Sequence, residues 1–268
     1  MDIFSKKNRI LLKELIKTDF KLRYQGSVVG YMWSILKPLM MFAIMYTVFV
    51  RFLRMGNDVP HFAVALLLGN VIWSFFSEAT NMGMVSIVSR GDLLRKLNFS
   101  KHIIVMSAIC GAMINFAINL VVVLIFAAIN GVHVAWNGVI FIPVLFLELF
   151  LLAFGIALLL SSLFVKFRDL GQIWEVVMQA GLYATPIIYS IGFVRERSEV
   201  AAKLIMLNPL AQIIQDSRYI LMDRANIPIW QLSNHWWYIV IPYIIPVLVF
   251  ALGLTVFNRN AKRFAEII

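Results

Sequence analysis

Along this chain long apolar stretches alternate with short polar connections, and six of the stretches are long enough to cross a bilayer. They run from Met32 to Val50, Phe62 to Val88, Ile103 to Ile129, Val139 to Val165, Ile173 to Ile191 and Trp236 to Phe257. Each reaches the roughly 18 to 20 residues that a helix needs to traverse hydrocarbon. The pattern predicts an all-α membrane protein with six transmembrane helices, and an even number of crossings puts both ends on one side.

The polar segments carry their own periodicity. From Asn8 to Leu22, Leu11, Leu12, Leu15, Ile16, Phe20 and Leu22 share one face, while Arg9, Lys13, Lys17 and Lys21 recur every fourth position on the other. That spacing predicts an amphipathic helix lying along the inner leaflet. Asp19 is the exception on its apolar side. The basic start is followed by too few apolar residues for a signal peptide, and no small-residue cleavage site appears. Between the second and third spans, residues 89–101 are too polar to cross. They predict a short helix with Asp92 near its positive end and Leu93, Leu94 and Leu97 on one side. Such a helix lies on headgroups or docks into a groove of another protein. The connection from Gly192 to His235 is long. Its stretch Pro209 to Met222 spaces Leu210, Ile213, Ile214 and Leu221 as a helix too short to span, beside Gln212, Gln215, Asp216 and Arg218. Asn208-Pro209 separates it from the preceding apolar turn, so short helices in or on the outer leaflet are expected. The whole chain, 1–268, reads as one transmembrane domain: the N-terminal helix with its loop (1–30), spans one to five (31–191), the short outer helices (192–235), span six (236–257) and a tail (258–268).

Composition agrees, with 61% hydrophobic and 14% charged residues, against roughly 45–50% apolar in a soluble domain. Charge adds the orientation. Sixteen of the 24 Lys and Arg fall on the N-terminal segment, the second-to-third connection, the fourth-to-fifth connection and the tail, and seven on the alternate connections. This bias predicts cytoplasmic termini. The net charge of +10 sits beside spans and suits anionic headgroups, so nucleic acid is set aside as a partner. Cys110 is the single cysteine, so no internal disulfide can form.

Inside the spans, Ser107, Gly111, Asn115 and Asn119 form a small and polar stripe suited to close helix contact. Glu78, Glu148 and Glu175 are carboxylates in or beside apolar spans, which are costly to keep charged. No His or Cys cluster accompanies them, and neither a metal site nor a nucleophile is predicted.

Residues 22–39, Leu-Arg-Tyr-Gln-Gly-Ser-Val-Val-Gly-Tyr-Met-Trp-Ser-Ile-Leu-Lys-Pro-Leu, resemble the approach to the first span in permease subunits of ABC-2-type polysaccharide and teichoic acid exporters. Further likeness follows in the same order: Val71-Ile72-Trp73-Ser74-Phe75-Phe76, then Gly91-Asp92-Leu93-Leu94 to Asn98-Phe99-Ser100-Lys101. Phe167-Arg168-Asp169-Leu170, Thr185-Pro186-Ile187-Ile188-Tyr189 and Leu207-Asn208-Pro209-Leu210 complete it. The chain has Phe99-Ser100 where members of that family often have Phe-Pro.

The resemblance implies a non-catalytic permease in the plasma membrane of a bacterium, working as a homodimer with two copies of an ABC ATPase. The chain lacks the phosphate loop Gly-x-x-x-x-Gly-Lys-Ser/Thr, so MgATP belongs to the partner and no cofactor is expected here. Gly91, Asp92, Leu93, Leu94, Arg95, Lys96 and Leu97 become the coupling helix that meets the ATPase. Similar exporters carry a glycan or polyol phosphate linked through pyrophosphate to an undecaprenyl lipid. Lys21, Arg23, Tyr24 and Lys37 are the candidates for the pyrophosphate, as cations and a donor near the inner interface. Sugars present apolar faces and hydroxyl rims, which makes Trp33, Tyr46, Trp73, Phe76, Tyr183 and Tyr189 candidates for the polymer channel. Two alternatives stand beside this reading: export of a small amphiphile such as a drug or lipid, and a proton-coupled carrier or membrane glycosyltransferase using the three glutamates. The lack of an evident inverted repeat or acidic metal motif argues against the last.

Overall fold

A computed structural model describes residues 6–24, 27–54, 59–97, 99–132, 140–261 and 264, with the side chains of 20 and 22–24 excepted. These residues form helices and no strand. Five helices are long and apolar enough to cross a membrane, and the chain is a multi-pass membrane protein.

α1 (Lys6–Tyr24) is followed by a 3-10 turn (Gly30–Met32) and α2 (Trp33–Met45), which widens into a π-helical stretch over Tyr46–Phe52. α3 (Phe62–Ser89), α4 (Gly91–Lys96), α5 (His102–Ile129) and α6 (Ile142–Phe164) come next. α7 (Leu170–Ala184), α8 (Ile191–Arg197), α9 (Glu199–Met206), α10 (Pro209–Leu221) and α11 (Trp236–Ala261) complete the chain.

α3 is the centre of the bundle, flanked by α5 and α6, and α6 packs in turn on α11. Most of its apolar segment is buried, whereas α2 and α11 are buried over only 17% of theirs. Side-chain size along the seams sets how closely the helices approach. Gly83 of α3 sits where an added Cβ would lie 2.5 Å from Ala157 of α6, and Gly253 of α11 where it would lie 2.3 Å from the carbonyl oxygen of Gly155. Without a hydrophobic force between helices inside lipid, such backbone proximity is what makes association favourable.

The fifth predicted span, Ile173–Ile191, takes a different form. Its helix begins earlier and stops after 15 residues at Ala184, and Thr185 is extended (φ −95°, ψ 139°). Pro186 is the cause, because its ring disfavours helical backbone at the residue before it. Tyr189 folds back, and its hydroxyl donates to the Tyr183 and Ala184 carbonyls at 3.2 and 3.4 Å. A helix of 15 residues rises about 22 Å, short of a full span, and residues 185–190 turn back on its end.

That break leaves carbonyls that no helix can satisfy. Arg218 of α10, fully buried, reaches them: Nη1 donates to Pro186 O at 2.6 Å and Nη2 to Ile187 O at 2.7 Å. Its Nε donates to Ala65 O of α3 at 3.0 Å, and Nη1 also to Gln215 Oε1 at 3.1 Å. Gly69 leaves room for the guanidinium, since a Cβ there would lie 2.8 Å from Nη2. α10 spans Pro209–Leu221, starting at Asn208, whose side chain caps Leu210 N. The sequence predicts a short helix in or on the outer leaflet with polar residues beside its apolar ones, and Gln212, Gln215, Asp216 and Arg218 are all within 2% of full burial. Its polar face is turned into the protein.

Replacing Arg218 by Leu is expected to strip donors from three buried carbonyls and cost roughly 3–5 kcal/mol. Arg218→Lys will recover little, because an ammonium lacks the planar fork that serves Ala65, Pro186 and Ile187 together. Thermal unfolding of the two purified variants in detergent measures this; a Lys variant as stable as the wild type would contradict it.

Candidate functional site

Two regions concentrate polar residues beside open space. The first is a cleft of about 610 Å³ between α2, α3 and α5. Trp33, Lys37, Trp73, Phe75 and Phe116 line it, with Ser34, Ser77, Glu78, Asn115 and Asn119 between them. The stripe on α5 supplies the polar wall. Asn115 Nδ2 donates to Glu78 Oε1 at 2.9 Å, and Asn119 Nδ2 donates to Ser34 O of α2 at 3.0 Å and to Asn115 O at 2.8 Å. These bonds tie three spans together and fix Glu78 in place. Ser107 turns inward to its own helix, donating to Ile104 O at 2.8 Å. An added Cβ at Gly111 would meet nothing within 4 Å, so this glycine marks no close crossing among the described residues.

The predicted channel aromatics divide. Trp33 and Trp73 border the cleft, with Trp33 43% exposed and Trp73 only 8%. Trp73 is wedged against α7, where a Cβ on Gly181 would lie 2.7 Å from its ring. Phe76 is buried behind it, ring centroids 6.2 Å apart. Tyr46 packs on Phe42 and under Arg51, away from the cleft. Tyr183 is exposed on α7, and Tyr189 closes the end of that helix. Trp174, which sequence reasoning passes over, bonds across the bundle through Nε1 to Thr80 Oγ1 at 3.2 Å.

Of the predicted pyrophosphate ligands, Lys37 lines the cleft and is exposed within an apolar helix. Lys21 is exposed on α1. Arg23 and Tyr24 end α1, and their side chains lie outside the described residues. Glu175 is exposed and accepts weakly from Gln179 at 3.4 Å.

The second region surrounds α4. This helix spans Gly91–Lys96, with Asp92 in its first turn and Arg95 and Lys96 in its last, each charge matched to the helix dipole. Leu94 is buried, Leu93 half-buried, and Arg95, Lys96 and Leu97 exposed. Between α4 and α1 lies an open groove of about 540 Å³ lined by Leu15, Arg90, Asp92, Leu93, Lys96 and Leu97. α1 packs along α5, burying Asn8 and Leu15. Asp19, the misfit on its apolar face, makes an ion pair with Arg90, the residue immediately before α4. Burial pulls the Arg90 pKa down from its ordinary value, and the adjacent carboxylate is its counter-ion. Nearby, Lys101 Nζ donates to Ala261 O of α11, and His102 stacks near Phe257 at 4.7 Å. The α4 end is thus knitted from four helices: α1, α4, α5 and α11.

Comparison with known proteins gives a consistent result. The ABC-2 type transporter family matches residues 10–222. An O-antigen export system permease protein, RfbA, from Klebsiella pneumoniae is 27% identical over 258 residues, 96% of this chain and 95% of that protein. A second Klebsiella pneumoniae protein of the same name is 28% identical over the same extent. Another from Myxococcus xanthus is 26% identical over 219 residues, 81% of this chain and 82% of that one.

Because α1 and α4 meet through one half-buried ion pair, Asp19→Arg or Arg90→Asp alone is expected to cost roughly 1–3 kcal/mol. The exchange Asp19→Arg with Arg90→Asp will restore more than half of the loss. Unfolding temperatures of the three variants test the pairing, and simple additivity of the two losses would refute it.

Proposed function

Since this chain belongs to the ABC-2 type transporter family, we propose that it is the permease subunit of an ATP-driven exporter of a cell-surface polysaccharide, carried as a lipid-linked chain. The observation that carries the substrate class is the cleft between α2, α3 and α5. A lining of indole and phenyl rings interleaved with hydroxyl, amide and one carboxylate group suits a glycan, which offers CH faces for stacking and hydroxyls for hydrogen bonds. Lys37 supplies a single cation at its edge, enough to meet a phosphate without lining the route with charge. The likeness to O-antigen export permeases over nearly the full length supports the same reading.

α2 supports a homodimer. It is buried over only 17% of its apolar segment, yet it carries the exposed Lys37, a side chain costly to leave against lipid. A second copy set against α2, with a wet passage between, removes that cost. The groove between α1 and α4 is the surface for a separate ATPase subunit: apolar Leu93 and Leu97 are flanked by Arg95 and Lys96, and the whole is braced by Asp19 and Arg90. Nucleotide-driven motion of the ATPase would enter the bundle there and shift the two permeases as rigid bodies. Both termini and this groove then face the cytoplasm, the orientation that the bias of Lys and Arg favours.

Co-expressed with its ATPase, the Arg95→Glu, Lys96→Glu variant is expected to keep its membrane level but lose permease-dependent stimulation of ATP hydrolysis and surface display of the glycan. Unaltered stimulation would remove α4 from the coupling path. In the cleft, Trp33→Ala is expected to slow glycan export severalfold at unchanged stability, whereas Trp73→Ala will lower the unfolding temperature, as loss of a buried aromatic costs about 3–5 kcal/mol. Comparable export in Trp33→Ala and wild type would move the sugar path elsewhere.

A further inference from the structure

A separate cavity, of about 470 Å³, opens between α6, α10 and α11, away from the cleft. Glu148 of α6 and Asp216 of α10 line its inner part, 8% and 2% exposed. One Asp216 oxygen is well served: Oδ2 accepts from Tyr243 Oη at 2.5 Å and from Gln212 Nε2 at 2.6 Å. The other is not. Asp216 Oδ1, Glu148 Oε1 and Gln212 Oε1 are all buried and accept no hydrogen bond. Of these, Glu148 Oε1 and Asp216 Oδ1 belong to side chains that line the cavity, and buried acceptors without donors are expensive inside a membrane protein, so a bound group rich in N–H donors would be held there.

The chemistry of the cavity narrows what that is. Two carboxylates repel an anion and give a neutral sugar no advantage over a cation. A divalent metal needs more ligands than the cavity offers: among the described residues no group of three or more His, Cys, Asp or Glu could hold one. A primary ammonium brings positive charge and three N–H donors. The walls suit it too, since Tyr219 and Trp230 stand edge to face at 5.6 Å beside the acids, and aromatic faces attract cations. The rim changes sign, with Arg224 exposed at the mouth. Phe141 and Val144, 56% and 59% exposed, carry the cavity onto the lipid-facing surface of α6.

We propose that this cavity binds the head group of an aminophospholipid, with the ammonium on Glu148 and Asp216, the phosphate at Arg224 and an acyl chain along Phe141 and Val144. An acidic floor, aromatic walls, a cationic mouth and an apolar skirt match such a lipid from its amine outward. The proposal rests on the chain's place in a membrane and is independent of what is exported.

Native mass spectrometry of the purified permease, exposed to phosphatidylethanolamine, phosphatidylcholine or phosphatidylglycerol, tests it. Phosphatidylethanolamine is expected to be retained about tenfold over phosphatidylglycerol, with phosphatidylcholine between them because its cation lacks N–H donors. Glu148→Gln with Asp216→Asn will abolish that preference. Should this variant fail to fold, Arg224→Ala and Trp230→Ala, both at exposed positions, will still lower retention severalfold. Equal retention of phosphatidylethanolamine and phosphatidylglycerol by the wild type overturns the proposal, as does unchanged retention in both rim variants. Soluble phosphoethanolamine is expected to give no thermal shift at concentrations where the lipid does; an equal shift would deny the acyl chain its role.

Discussion

A polypeptide inside hydrocarbon has no water to take up its carbonyl groups, so any interruption of a helix there must be answered by other donors. In this protein the interruption is at Thr185-Pro186, and the answer is the guanidinium of Arg218. Much follows from that one side chain. To deliver it, α10 is drawn wholly into the bundle, and its other polar residues come along. Gln212 and Asp216 are thereby set against Glu148 and Tyr243, which creates the acidic cavity. The same guanidinium reaches Ala65, so the broken helix, the short helix and the central span are held by one group.

α3 links the functional regions. Its first half carries Ala65 and Gly69 at the Arg218 knot, its middle carries Trp73 and Glu78 at the polar cleft, and its end passes through Arg90 into α4. Twenty-eight helical residues make a strut of about 42 Å. The α1 and α4 groove is therefore joined to the cleft by a continuous helix rather than by a loop.

Much of this was legible from the residues. Five of the six apolar runs match helices long and apolar enough to cross, because lipid imposes length and composition directly, whereas the run Ile173–Ile191 breaks at Pro186; the predicted α4 and α10 agree with the observed helices to within a few residues. The short helix α4 was visible from Asp92, which suits the positive end of a helix, and from Leu93, Leu94 and Leu97 on one side. Other features were out of reach for physical reasons. Periodicity shows that two faces of α10 differ, but not that the polar face is the buried one; that depends on carbonyls at Pro186 and Ile187, distant in sequence. For the same reason Arg218 counts as an outer-loop charge in the sequence and is an internal donor in the fold. Asp19 read as a flaw in an amphipathic helix until Arg90, 71 residues later, explained it. Among the aromatics, composition could not separate Trp33, which borders open space, from Phe76, which fills the core.

The contact of Gly155 with Gly253 has a mechanical meaning. Where two helices touch main chain to main chain, no long side chains stand between them to swing or slide, and shear along that line meets a hard wall almost at once. α6 and α11 therefore act as a single fixed post. Compliance is then left to α2, buried over only 17% of its apolar segment, and to the short helix α7, which stops at Ala184.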